Sequence, residues 1–306
     1  MKRLLFLITI LLLTGNLFAQ YSQYFSQYLS NGQAINPAYA GSREVLSTTL
    51  LYRNQWVGFD GAPKTMTFSA HTPLNKLSSA IGIQMFSDRI GVSKHNGVFF
   101  NYAYRIRFKK NHRTLAFGIG AGLSMFRANL NSVTLSTPGD IEFVGQNLKS
   151  NRPNFNFGIY YYSNRFFTGF SVPSLLHYGY DVFGNTADSL KTTPQNFYYT
   201  AGYVFKLNND LKLTTSCLIK SYANFKSQMD LNLNLCIYDV LGMSVSLRFG
   251  DALVWIIDYK INDQFKIGYS HDFSFSILNR YAHGTNEFML RYEFAYKSNV
   301  ASTKLF

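Results

Sequence analysis

Between Ser47 and Tyr296 the chain alternates apolar or aromatic residues with polar or small ones in fourteen short segments. Successive side chains of a strand point to opposite faces, so this period of two predicts strands with one face for an apolar medium and one for water. The clearest segment runs from Gly97 to Phe108. Val98, Phe100, Tyr102, Tyr104, Ile106 and Phe108 fall on one face, and Phe99, Asn101, Ala103, Arg105 and Arg107 on the other. The predicted strands are 47–58, 64–72, 79–87, 96–108, 113–127, 154–163, 165–172, 196–207, 211–221, 228–238, 241–250, 252–261, 264–273 and 286–296. Most have the roughly nine to eleven residues that a tilted strand needs to cross a bilayer, and their number is even, as in bacterial single-chain barrels.

The connections alternate in length, as short periplasmic turns and longer outer loops do in such barrels. If the first strand runs outward, 109–112, 163–164, 208–210, 239–240 and 262–263 are periplasmic turns, and 128–153, 173–195 and 274–285 are outer loops. Only the tight Gly250-Asp251 connection departs from this rule. The pattern predicts an all-β, transmembrane outer-membrane β-barrel of fourteen antiparallel strands.

The N-terminus agrees with export. Lys2 and Arg3 precede an apolar run from Leu4 to Leu13, and Leu17-Phe18-Ala19 offers a cleavage site before Gln20. The predicted organisation is a signal peptide at 1–19, an N-terminal segment at 20–46 and the barrel at 47–306. No later stretch has the eighteen or more continuous apolar residues of a membrane-spanning helix.

Composition supports a two-faced wall: aromatics are 17% of residues and charged residues 15%, and mean hydropathy is −0.06. The formal charge of +13 suggests a nucleic-acid binder, but the basic residues are spread through strands and turns, and an exported protein does not meet nucleic acid. Cys217 and Cys236 fall on opposite faces by the alternation, which argues against a disulfide.

Residues 20–47 need a place of their own. Tyr21, Tyr24, Phe25, Tyr28 and Leu29 follow the spacing of one helical stripe, and Gly32 is a suitable stop, so a short helix is predicted. A fourteen-stranded barrel is wider than one that wall side chains can fill, and the fifth strand presents Ala116, Gly118, Gly120 and Gly122 inward. The segment is therefore either a plug inside the lumen or a periplasmic arm.

By alternation Arg105, Arg107, Lys206, Lys212, Lys220, Arg248, Lys260, Lys266 and Arg291 point inward, facing Asp230, Asp258, Asp272, Glu287 and Glu293. Arg105, Arg107, Arg248, Asp258, Arg291 and Glu293 are the leading lumen charges. They fit an anion-selective pore, a socket for an acidic partner, or a salt-bridge network that stiffens the wall and holds a plug. The six histidines show no pair at metal-ligand spacing, and no cofactor motif is present. An enzyme at the rim would need a Ser or Asp close to a His.

Two stretches are more distinctive than the barrel pattern: Ala34-Ile35-Asn36-Pro37-Ala38-Tyr39-Ala40-Gly41 and Tyr52-Arg53-Asn54-Gln55-Trp56-Val57-Gly58-Phe59-Asp60-Gly61-Ala62-Pro63-Lys64-Thr65. With 68–74, 86–91 and 287–292 they resemble the PorP/SprF family of the Bacteroidota over essentially the whole mature chain. The resemblance implies a non-enzymatic outer-membrane protein of the type IX secretion system, which serves gliding motility and the export of large surface proteins. It implies as partners the secretion machinery and a cargo with a type B C-terminal domain, a large adhesin. A passive or ligand-selective channel is the alternative.

Asn36, Pro37, Tyr39 and Gly41 are read as a rigid corner or a cargo contact, since proline extends the residue before it and glycine permits a bend. Arg53, Gln55, Trp56, Phe59 and Asp60 belong to the first outer hairpin. Trp56 suits an interfacial belt and Phe59, at the tip, is a docking candidate.

Overall fold

The computed structural model describes residues 25–74, 78–108, 112–130, 147–176, 196–222, 225–276 and 280–294, without the side chains of 222–226. The predicted signal peptide, Tyr21 and Tyr24 lie outside these residues.

Fourteen strands close into one antiparallel barrel. They are β1 (Leu46–Asn54), β2 (Lys64–Leu74), β3 (Ser79–Ile90), β4 (Ser93–Phe108), β5 (Arg113–Asn129), β6 (Asn147–Tyr162) and β7 (Phe166–Val172), followed by β8 (Asn196–Lys206), β9 (Leu211–Tyr222), β10 (Phe225–Ile237), β11 (Leu241–Arg248), β12 (Ala252–Lys260), β13 (Phe265–Ser274) and β14 (Thr285–Phe294). Each pairs with its sequence neighbours, and β1 closes on β14 from Leu46↔Phe294 to Asn54↔Asn286. Closure leaves no free sheet edge along the seam, as a lipid environment demands.

The two faces follow the alternation. On β2 Thr65, Thr67, Ser69 and His71 are buried inward, while Met66 and Phe68 are exposed outward. The same phase puts Phe100, Ile119, Leu233 and Phe288 outward and Asn101, Asn232 and Glu287 inward. Both cysteines are free thiols.

Several boundaries differ from expectation. β1 stops at Asn54 because Trp56 (φ 47°) and Gly58 (φ 94°) adopt left-handed backbone that a strand cannot continue through. β6 begins at Asn147 rather than Asn154: 147–153 is polar and lacks the apolar alternation, yet it pairs residue for residue with Leu123–Asn129 of β5. β3 and β4 extend until only Gly91-Val92 joins them, so tight connections at the long-loop end are not confined to Gly250-Asp251. At the opposite end the fully described connections are short turns: 163–165, 207–210, 238–240 and 261–264.

Residues 25–45 run inside the barrel. They bond to inward groups of β1, β2, β3, β4, β6, β7, β10, β13 and β14, which surround a single interior. The predicted helix is absent among the described residues. Residues 26–30 form consecutive turns, followed by single 3-10 turns at Gly32–Ala34 and Pro37–Tyr39. Of the stripe, Tyr28 joins Ile35, Tyr198 and Leu218, and Leu29 packs against this cluster and against that of Tyr39, Tyr160 and Phe167.

Candidate functional site

The interior is built around two seats for this inner segment. The first lies toward the long-loop end, where β9, β10, β11, β13, β14 and β1 turn charges inward. Arg53 Nη2 donates to Asp272 Oδ2 at 2.7 Å and Nη1 to Glu287 Oε2 at 3.1 Å. Arg248 Nη1 reaches Asp272 Oδ2 at 3.2 Å, its Nε lies 3.5 Å from Asp230 Oδ1, and Lys220 Nζ lies 3.9 Å from Asp230 Oδ2. The cations Arg53, Arg248 and Lys220 thus face the anions Asp230, Asp272 and Glu287, all almost fully buried.

Ser26 completes this cluster. Its hydroxyl lies 2.9 Å from both Asp272 oxygens and accepts from Arg53 Nη1 (2.9 Å) and Arg248 Nη2 (3.1 Å). The Ser26 and Gln27 amides donate to Glu287 Oε2 and Oε1 at 3.0 and 2.8 Å. Buried charges survive only when paired and hydrogen-bonded, and backbone amides here supply donors that the wall lacks.

The second seat is apolar and backbone-lined. Asn36 caps the Pro37–Tyr39 turn by accepting from Ala38 N at 2.9 Å. Its Nδ2 donates to the carbonyls of Ile159 (3.0 Å) on β6 and Phe170 (3.3 Å) on β7. Gly118 and Gly158, directly paired across β5 and β6, lie under this turn. A Cβ on Gly118 would overlap the Ala38 backbone, and one on Gly158 the Asn36 side chain. These glycines are what lets the turn approach the wall. Tyr39 packs edge-on to His71 and tilted to Tyr160, each with ring centroids 5.5 Å apart.

Where the segment leaves the interior, it is tied by charge again. Gly41 (φ 75°) donates its N–H to His71 Nδ1 at 3.2 Å, and its carbonyl accepts from Arg105 Nη1 at 2.7 Å. Glu44 bridges Arg105 (3.0 Å) and the more exposed Arg107 (3.2 Å), and Arg43 Nε meets Glu293 Oε1 at 2.7 Å. Burial alone would lower the Arg43 pKa, but Glu293 raises it above the ordinary arginine value, so it stays charged. Arg291 donates to the Ser30 carbonyl. Asp258 pairs with Lys266 at 2.5 Å.

The inward charges therefore do not form a free positive lining. Arg105, Arg107, Arg248, Asp258, Arg291 and Glu293 each have a partner, and most bind the inner segment or its immediate supports. Sequence reasoning missed the segment's own polar anchors: Ser26, Gln27, Asn31, Arg43 and Glu44. The Arg43-Glu44 dipeptide after Gly41 was the available signal.

The first hairpin is built apart from these seats. Gln55 N donates to Pro63 O at 2.9 Å, and Trp56 N to Thr285 Oγ1 at 3.2 Å. Val57 pairs with Gly284 and His283, and Gly91 donates to the Gly61 carbonyl at 2.8 Å, which ties the hairpin to both neighbouring connections. Phe59, 46% exposed, and Asp60 stand at its tip.

Among the described residues no group of His, Cys, Asp and Glu is placed to hold a metal. A Ser–His pair occurs among the described residues. His95 Nε2 and Ser124 Oγ are 2.6 Å apart near the long-loop end. Asp88 is the cross-strand neighbour of His95, but its Oδ1 is occupied by Thr65 Oγ1 at 2.6 Å.

Comparison with known proteins agrees with this architecture. The CymD monoaromatic hydrocarbon channel superposes with a TM-score of 0.51 at 10% identity, over 88% of this chain and 94% of its own. The Ralstonia pickettii toluene transporter TbuX gives 0.50 at 8% identity, over 85% and 92%. At these identities the likeness is one of fold, that of an outer-membrane barrel. No curated protein matches the chain in sequence. The family profile described as type IX secretion system membrane protein PorP/SprF matches residues 17–292. This outer-membrane barrel therefore belongs to the PorP/SprF family of type IX secretion system membrane proteins.

Proposed function

We propose that the protein is a non-enzymatic partner of the type IX machinery that assists secretion or surface anchoring of a large cargo with a type B C-terminal domain. The observation that carries this reading is the inner segment itself. A lumen occupied by the chain's own residues 25–45, tied on several sides by buried charges, favours a partner or anchor over a passive channel.

In this reading residues 1–19 are removed on export, 20–46 act as the plug, and the long-loop end faces the cell exterior. Phe59 and Asp60 are the proposed docking residues at that end, and Asn36, Pro37, Tyr39 and Gly41 form the corner that seats the plug.

Deleting the gene tests it. Secretion of cargo with type A domains should stay normal, while one large adhesin disappears from the surface and is degraded or released. Normal display of every surface protein, with lost uptake of a small solute and a steady conductance in planar bilayers, would support the channel instead. Labelling of Ser124 by a fluorophosphonate would reopen an enzymatic reading.

A further inference from the structure

The register of the sheet aligns five basic residues that are scattered in sequence. Lys64 is the Cα partner of Arg89, Arg89 of Lys94, Lys94 of Arg127, and Arg127 of Lys149. The row crosses β2 to β6 without a break. All five are exposed and outward, since the adjacent Thr65, Asp88 and Ala128 are buried on the inward face. Among the described residues none of the five makes an ion pair. Like charges directly opposite on neighbouring strands destabilise a sheet, so the stability of the wall does not explain the row. A bound anion would offset the repulsion.

Its height is informative. The outward apolar run of β4 extends from Val98 to Phe108. Ten residues at ~3.3 Å each, tilted by ~40°, give a height of about 25 Å, that of the apolar band of an outer-membrane barrel. Lys94, four residues beyond Val98, then stands roughly 10 Å past the edge of the band, within reach of lipid headgroups for a side chain that snorkels.

Below the row, on the same strands, the outward face is hollowed. Ala70, Ile83, Phe100, Ile119, Ala121 and Phe155 help line an apolar concavity of about 1130 Å³. That exceeds the roughly 300–1,000 Å³ of ordinary small-molecule sites and is enough for more than one acyl chain.

We infer that this face binds a phosphorylated lipid of the outer leaflet, with acyl chains in the hollow and headgroup phosphates on the basic row. The leaflet rests on the orientation proposed above. Binding is read on purified protein, where orientation plays no part, so the two readings fail separately.

The test uses the full-length barrel in neutral detergent, with bis-phosphorylated lipid A as probe and its dephosphorylated form as comparison. Lipid retained through gel filtration is measured by mass spectrometry. Wild-type protein should retain the phosphorylated form preferentially. The combined variant Arg89→Gln, Lys94→Gln, Arg127→Gln and Lys149→Gln should lose about tenfold or more of that retention, since each basic residue near an anionic surface contributes separately. Removing charge at the opposite end, by Arg113→Gln with Arg165→Gln, should leave it unchanged. If the combined variant does not assemble, the wild type still decides: retention of the phosphorylated lipid should fall severalfold when ionic strength rises about tenfold. Equal retention of the two lipids, no loss in an assembled variant, or indifference to salt overturns the inference.

Discussion

Arg53 and Asp272 lie 219 residues apart in sequence and 2.7 Å apart inside the barrel, with the Ser26 hydroxyl bonded to both. One side chain from the first strand, one from the thirteenth and one from the inner segment thus share a single buried cluster. Arg53 is also the direct cross-strand partner of Glu287, so the same guanidinium spans the seam between β1 and β14.

Removing that guanidinium alone should cost more than removing it together with one carboxylate. Arg53→Met leaves Asp272 and Glu287 short of a cation where both are buried, a loss of about 3–5 kcal/mol. Adding Glu287→Gln, which leaves Arg248 and Lys220 facing Asp230 and Asp272, should recover much of it. The temperature at which the folded, fast-migrating gel band converts to the slow one measures both. A single variant as stable as wild type would mean that the cluster is hydrated and weak.

The glycine floor offers a way to unseat the inner segment without harming the wall. Gly158→Leu puts a side chain where Asn36 sits, while the β5–β6 ladder keeps its backbone bonds. The variant should assemble, become cleavable by protease within residues 25–45, and conduct more in planar bilayers than wild type. Unchanged protection would show that the segment is held by its charged ends alone.

The lipid face should resist charge. Leu290 is an outward residue of β14, and Leu290→Arg adds roughly 2–4 kcal/mol at the midplane of the bilayer. Little heat-modifiable protein should reach the outer membrane, read by fractionation of cells and unheated gels.

Orientation is open to labelling. In a background lacking Cys217 and Cys236, a cysteine at Asn147 should react with an impermeant maleimide on intact cells, and one at Asn209 should not. The reverse pattern would invert the barrel.

The strands were legible because their signal has period two and is local. Val98 through Phe108 announces its faces without reference to any partner. The seven residues Asn147–Pro153 were not legible as strand: they stand above the apolar band, where outward positions need no hydrophobicity. Tyr28 and Leu29 suggested a helix because spacing alone cannot tell a helical stripe from residues that consecutive turns bring against one wall cluster. Among the charges, alternation gave Arg105 and Arg248 their face but not their partners. Which groups meet depends on register and on the inner segment. The basic row from Lys64 to Lys149 is the extreme case, since no window of sequence contains it and only four successive registers bring it together.

The seating of Ser26 and Gln27 also dictates an order of events. Their acceptors on Glu287 are about 260 positions away in the chain and belong to the last strand to be synthesised. Ser26 and Gln27 therefore cannot dock until β14 exists, and Arg53 cannot meet Glu287 until the seam has shut. Docking of the segment is in this sense a completion signal. A barrel stalled before its final strand would leave its N-terminal segment undocked, within reach of periplasmic chaperones and proteases, and only a closed one withdraws it.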